Sequence, residues 1–345
     1  MVLLLAGGGP ASFAKNVSSP GVGAKVRVWP DHLFGINFFD TQHGWIAGHN
    51  GTVLRTVDGG ESWRMSSVPG GAGAGKPELL RRIKFASPTT GWAVGHRGSI
   101  LHSSDGGESW AVQFRVAGVY LRDLDFVDKA TGWVVGHEGT ILATRDGGDT
   151  WRRQELKGYT GRDVPRLNGI SAIDRDRAVI VGEFGVVAIT DDGGRTWNLA
   201  PAPTKITLTS VAANETGAVA VGLDGSVLAI TLDDPSSPRI DAVDSGTDEH
   251  LLDVSMGADG AGYAVGRSTL LRFGPKGISA LGAAPEIELP YVWLGGVGLL
   301  PNGEVWAVGM RGIVLRADDS APDFRVALRL GRPKEISVTP KSEGS

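Results

Sequence analysis

The sequence predicts an all-β fold, a seven-bladed β-propeller of four-stranded antiparallel blades. Two patterns that each recur seven times in phase carry this, and a third that recurs four times supports them. The first reads Gly-Trp-x-x-Gly, or a degenerate form of it, with anchors at 45, 92, 133, 178, 218, 263 and 306, spaced by 47, 41, 45, 40, 45 and 43 residues. Repeats of about 40–50 residues are blade-sized. The second reads Leu-x-x-aliphatic and precedes each anchor, starting at Leu33, Leu80, Leu121, Leu167, Leu208, Leu251 and Leu294. The third is the Asp-box, Ser/Thr-x-Asp-x-Gly-x-Ser/Thr-Trp, complete from Thr56 to Trp63, Ser103 to Trp110, Thr144 to Trp151 and Thr190 to Trp197.

Taken in chain order, the Leu-x-x-aliphatic segment is the first strand of a blade and the anchor the second. A short apolar run gives the third, and the residues after the Asp-box the fourth. In the second repeat these fall at about 80–86, 91–96, 99–104 and 110–116. β-branched and apolar residues fill the strands and Gly and Asp fill the turns. No stretch holds the 3.6-residue apolar period of a helix. The Asp-box is a turn device, in which Asp58, Asp105, Asp146 and Asp192 accept N–H groups and the glycines supply positive φ. Trp63, Trp110, Trp151 and Trp197 offer apolar faces for packing between blades. Four aspartates in equivalent places of four blades do not form one catalytic site. Asp233-Asp234-Pro235 and Asp318-Asp319-Ser320 are eroded remnants of the motif.

The ring spans residues 25–330. Lys25-Val26-Arg27-Val28-Trp29 is expected to supply the outer strand of the last blade, in competition with Phe324–Leu328. Residues 1–24 form an N-terminal tail, and 331–345 read as a disordered tail. Val2–Ala6 is apolar and Ser12-Phe13-Ala14 ends in a small residue, the look of a signal-peptide remnant without its basic segment. Export to the periplasm or thylakoid lumen, peripheral to a membrane, is the expectation.

Composition narrows the function. The 345 residues are 41% hydrophobic, enough for a folded core, and carry a formal net charge of −4. That charge argues against a general nucleic-acid binder. No apolar run approaches the roughly 20 residues a membrane helix needs. With no cysteine, thiolate and disulfide chemistry are excluded.

A binding face is expected where the loops between second and third strands share one side of the ring with the links between blades. His49, His96 and His137 occupy one equivalent position there. Neighbouring sheets lie roughly 10 Å apart and zinc–nitrogen bonds are about 2 Å, so they read as an inherited repeat position and not a metal site, with partner contact on a polar binding face as their candidate role. Arg81, Arg82, Lys84, Arg97 and Arg122 cluster near first strands, and Arg152, Arg153, Arg162 and Arg166 flank the link around Tyr159. They read either as solvated surface or as an anionic or peptide-binding patch, since arginine suits bidentate capture of carboxylates or phosphates. The links Pro69–Gly75, Tyr159–Pro165 and Leu289–Trp293 are further candidates, the last two bringing aromatics.

The Gly44-Trp45-Ile46-Ala47-Gly48, Gly91-Trp92-Ala93-Val94-Gly95 and Gly132-Trp133-Val134-Val135-Gly136 segments, each followed by Asp-Gly-Gly-x-Ser/Thr-Trp, resemble the photosystem II stability/assembly factor family of cyanobacteria and plastids, over about residues 25–318. The resemblance implies a lumenal or periplasmic propeller, not an enzyme, that binds a newly made reaction-centre subunit during complex assembly. Some members carry a dense arginine patch; here Arg145, Arg152, Arg153, Arg162, Arg166, Arg175 and Arg177 are spread out, and non-photosynthetic bacteria also have the pattern. The expected protein is therefore a monomeric, non-catalytic scaffold without cofactor, its partner a subunit of a membrane-protein complex or an exposed peptide segment of one, and not nucleic acid.

The rival is a secreted sialidase-like glycoside hydrolase on the same fold, since fold does not settle function. It needs a substrate-binding arginine cluster and a tyrosine or paired carboxylates. Tyr120, Tyr159, Tyr263 and Tyr291 are the tyrosines, with Tyr263 in an anchor slot. Asp123 and Asp253, on first strands of the third and sixth blades, are the candidate pair.

Overall fold

Seven four-stranded antiparallel sheets follow one another along the chain, at 33–65, 80–115, 121–154, 167–200, 208–243, 251–280 and 294–329, here blades 1 to 7. The computed structural model describes residues 31–69, 78–233, 237–318 and 321–330. The Lys25–Trp29 segment, the tails 1–24 and 331–345, and most of the Pro69–Gly75 link lie outside the described residues.

Strand order within each sheet is chain order, from an inner strand to an outer one. Inner strands touch in succession from blade 1 to blade 7 and back to blade 1, so the ring closes. Seven apolar clusters lie between successive blades. Each blade alone buries too little, and each interface supplies a core, as in other repeat folds.

The anchor tryptophans explain how neighbours lock. Trp45 stacks on Phe85 of blade 2, with centroids 3.5 Å apart, and Trp92 stacks on Phe126 of blade 3 at 3.6 Å. Each indole N–H also reaches the next blade's Asp-box, Trp45 donating to the Gly106 carbonyl (2.8 Å) and Trp92 to that of Gly147 (3.1 Å). Blade 4 has Ala172 where an aromatic ring would stack on Trp133. There Arg145 lies 4.5 Å over the indole and donates to the Gly193 carbonyl instead. Gly91 is required because a Cβ would come within 2.5 Å of the Phe85 ring. Pairing also corrects two anchors by one residue. Ala172 faces Ala178 and Ala213 faces Ala218, so Val179 and Val219 fill the tryptophan slot.

Ring closure differs from expectation. The outer strand of blade 7 is Ala321–Arg329, paired Arg316 to Arg325 and Leu315 to Val326. The apolar alternation of Phe324, Val326 and Leu328 favours it. Phe324, fully buried, sits seven residues after Ala317 as Trp63 sits seven after Thr56, so it fills the Asp-box tryptophan slot. Blade 7 then meets blade 1 by side-chain packing, with Trp306 against Phe38 (5.4 Å) and Trp63 (5.9 Å). Both blades are complete without strand exchange.

The Asp-boxes act as turns. Asp58 accepts from the Ser62 amide (2.9 Å) and hydroxyl (2.6 Å), while Gly59 and Gly60 have φ of 69° and 88°. Hydrogen bonds from the hydroxyl and amide of Thr150 hold the Asp146 carboxyl down at about 2. At Asp105 slight burial pulls upward, but hydrogen bonds from Ser109 and Ser103 prevail and it too falls to about 2. An unfolded aspartate titrates near ~3.9. Their contribution is therefore whole above about pH 4 and is lost as pH falls through about 2. Thermal midpoints are expected to drop between those pH values, and less so in an Asp105→Asn/Asp146→Asn variant.

Candidate functional site

One backbone bond sets the face. In every blade the residue after the second strand donates its N–H to the carbonyl of the residue before the inner strand. His49 bonds to His32, His96 to Leu79, His137 to Tyr120, and Met310 to Trp293, and blades 4 to 6 repeat the bond. Loops and links thus share one side, as expected. The Asp-box turns bond to the opposite loops, for example Gly59 N–H to the Gln42 carbonyl.

Each inner strand then carries a β-bulge one residue after its leucine. A bulge re-aims the extra side chain. The extra residues are Phe34, Arg81, Arg122, Asn168, Thr209, Leu252 and Gly295, and together they form the channel mouth. Strict alternation would have sent Arg81 and Arg82 to opposite faces. The bulge puts Arg81 at the rim and leaves Arg82 within the channel.

Below the rim, side chains satisfy the inner edges of the sheets, whose free N–H groups need partners. Asn37 accepts from Phe85 (2.9 Å), Asp123 from Ile170 (3.0 Å) and Asp125 from Ala172 (2.9 Å). Ser171 accepts from Ala213 (3.0 Å) and Asp253 from Val297 (2.8 Å). Blade 2 has cations at these positions. Asp123 and Asp125 therefore also take their own strand's Leu124 and Phe126 amides, both at 2.9 Å, and pair back to Arg82 and Lys84.

Arg82 spans the channel. It donates to both Asp253 oxygens in blade 6 (2.8 and 2.5 Å), and its Nε lies 3.2 Å from Asp123. Ser210 donates to Asp253 at 2.7 Å. The three charged side chains are 14%, 8% and 6% exposed for Arg82, Asp123 and Asp253. Burial pushes the Asp123 carboxyl up, Arg82 pulls it back, Asp253 adds to the rise, and the outcome is about 6. The Asp123–Asp253 pair that suggested hydrolysis is thus divided over one guanidinium and two sheet-edge amides.

Arg81 and Arg122 contrast with this. Neither has a carboxylate partner among the described residues, and the Arg122 Nε is buried without any partner. Burial, then Arg122 and Arg82, push Arg81 down to about 9; burial, then Arg166 and Arg82, lower Arg122. Buried polar atoms of His137 (Nε2) and Asn168 (Oδ1), on the same side of the mouth, are also unpartnered. Aromatic rings frame the pair. Phe34 stacks on Trp293 at 5.6 Å and lies under Arg81 at 5.3 Å, while Tyr120 sits between His96 (4.9 Å) and His137 (5.0 Å). Burial and the two arginines hold His96 down at about 4, and burial lowers His49 and His137, so the positive charge here belongs to arginine.

The other proposed contacts divide. Arg81, Arg122, His49, His96 and His137 meet at the mouth, with Arg97 exposed on the adjoining turn. Arg82 is removed from the contact set, being buried in its ion pairs. Arg166 pairs with Glu183 (3.2 Å) at the edge of this group. Tyr159 and Arg162 line a separate groove of about 660 Å³ with the exposed Phe184. Arg152 and Arg153 line another, beside Asp146 and Asp192 on the Asp-box side, with the Arg153 guanidinium also reaching the Glu138 carbonyl (3.5 Å) of the blade 3 loop on the opposite face. Sequence reasoning missed His32 and Phe34, and weighed Tyr120 only as a tyrosine of the hydrolase reading. The residue just before each leucine was the usable signal for His32 and Tyr120, since that column reads His32, Leu79, Tyr120, Arg166, Thr207, His250 and Trp293.

Comparison with known proteins fits this architecture. The family model for the photosynthesis system II assembly factor YCF48 matches residues 24–116 and 111–234, more than half of the chain. No curated protein matches it in sequence. Among solved structures, YCF48 from Cyanidioschyzon merolae is similar at 19% identity, covering 86% of this chain and 98% of its own, with a TM-score of 0.68. YCF48 bound to a D1 peptide is similar at 18% identity, covering 84% and 94%, with a TM-score of 0.66. The WD40 propeller domain of Doa1 follows at 10% identity, 85% and 93% coverage and a TM-score of 0.65. At these identities the structural likeness concerns the fold.

Proposed function

The chain belongs to the photosynthesis system II assembly factor YCF48 family, and on that premise we propose that it is a non-catalytic, monomeric scaffold which docks an exposed peptide segment of a membrane-complex subunit on its channel mouth. The observation that carries this is the crowding of Arg81 and Arg122, neither in contact with a carboxylate among the described residues, inside a frame of aromatic rings. Two like charges held together lose stability unless an anion joins them, and arginine with aromatics is the usual anchor set of a binding face. The D1 peptide complex of a family protein supports a peptide as the ligand class.

The family also supports a station outside the cytoplasm, at the periplasmic or lumenal side of a membrane. No helix among the described residues is long and apolar enough to cross one. Glycoside hydrolysis is disfavoured, because Asp123 and Asp253 are engaged by Arg82 and by backbone amides.

The test is fluorescence anisotropy of a labelled D1-derived peptide titrated with the full chain. Saturable binding that weakens with added salt is expected, since arginine attraction is screened. Absent or salt-indifferent binding contradicts the proposal.

A further inference from the structure

We propose that proton uptake by the Arg82–Asp123–Asp253 cluster strengthens anion binding at Arg81 and Arg122, so that the mouth holds its partner more tightly in mildly acidic surroundings. This rests on the mouth being the docking site and adds its regulation.

The argument begins with position. Arg81 and Arg122 are each next in sequence to a cluster member, and the bulges stack them as a rim above it. The cluster joins one guanidinium to two carboxylates, a net charge of −1 when both are ionised, largely buried beneath the rim. That buried negative charge opposes any anion arriving at the rim.

The groups facing Asp123 are few. Arg81, Arg82 and Lys84 act on it from blade 2, Asp253 from blade 6 and Arg122 from its own strand, whose Asp125 is taken by Lys84 at 2.8 Å. Blade 4 contributes the Ile170 amide. Asp123 is thus the carboxyl with reason to titrate between pH 5 and 7, and protonating it brings the cluster to neutrality. His96 stays neutral over the same range. Linkage is reciprocal, so an anion at the rim must make Asp123 bind its proton more tightly.

Inorganic sulfate, whose charge does not change between pH 5.5 and 7.5, is the probe. Its affinity is to be read from the arginine side-chain N–H resonances of the full chain, assigned with Arg81→Lys and Arg122→Lys. Sulfate is expected to bind roughly 5–10-fold more tightly at pH 5.5 than at 7.5, the size of a charge interaction across several ångströms of protein. Asp123→Asn is expected to bind equally at both, near the wild-type acid value. A His49→Gln/His137→Gln chain is expected to keep the pH dependence. Should Asp123→Asn fold poorly, the titration of the Asp123 carboxyl carbon in the unaltered chain suffices, and its midpoint is expected to rise with sulfate. Equal wild-type affinity at the two pH values, or an Asp123 midpoint unmoved by sulfate, overturns the inference. Persistent peptide binding beside either result leaves the docking site standing, while pH-linked sulfate binding without peptide binding overturns docking alone.

Discussion

Replacing both rim arginines, as Arg81→Ala/Arg122→Ala, is expected to weaken peptide binding by at least ~100-fold, which corresponds to about 2.7 kcal/mol. A hydrogen bond to a charged group contributes about 1.5–3 kcal/mol, and both guanidiniums are free to make one. Stability is expected to hold or rise, because neither guanidinium touches a carboxylate and the two repel each other. Arg81 contributes one local contact, its position over the Phe34 ring, of about 0.5–1 kcal/mol. Lysine at both positions keeps the charge but not the planar fork, so an intermediate loss is expected. Anisotropy and thermal melting on the same samples check both halves. Unchanged affinity in the double alanine variant removes the mouth as the docking site.

The fold was legible because a propeller repeats its own instructions. Trp45, Trp92 and Trp133 recur with their glycines, and Asp58, Asp105, Asp146 and Asp192 with their hydroxyl partners, so each blade confirms the last. The mouth was only half legible. Arg81 and Arg122 stood out as charges on first strands, yet so did Arg82, and nothing in Leu-Arg-Arg-Ile tells which arginine faces the rim. The bulge decides it, and a bulge is a matter of register, which one strand read alone does not reveal. Asp123 and Asp253 invited a catalytic reading for the same reason. Their roles are to satisfy amides one blade onward and to share a cation from blade 2, partners that lie 41 to 171 residues away. Ring closure failed at Phe324, where the tryptophan of the Asp-box is replaced and the motif no longer announces the strand behind it.

Removal of the cross-channel cation alone, by Arg82→Met, is expected to cost about 3–5 kcal/mol of folding stability, the penalty of leaving buried charge without its partner. Two carboxylates, each under a tenth exposed, would then confront each other with only amide and hydroxyl donors for company. One of them must take up a proton, so the loss should be larger at pH 8 than at pH 5. The cost belongs to the imbalance and not to the missing contact, and a second variant separates the two. Arg82→Met with Asp123→Asn and Asp253→Asn carries no charge in the channel, and asparagine carbonyls still accept from Ile170 and Val297. Replacing a whole buried ion cluster with neutral groups is often nearly neutral in stability. The triple variant should therefore recover most of the loss and show little pH dependence between 5 and 8, as read from chemical denaturation midpoints. If the triple variant is as unstable as Arg82→Met alone, the guanidinium acts as a mechanical strut between blades 2 and 6, and charge balance is not what the channel requires.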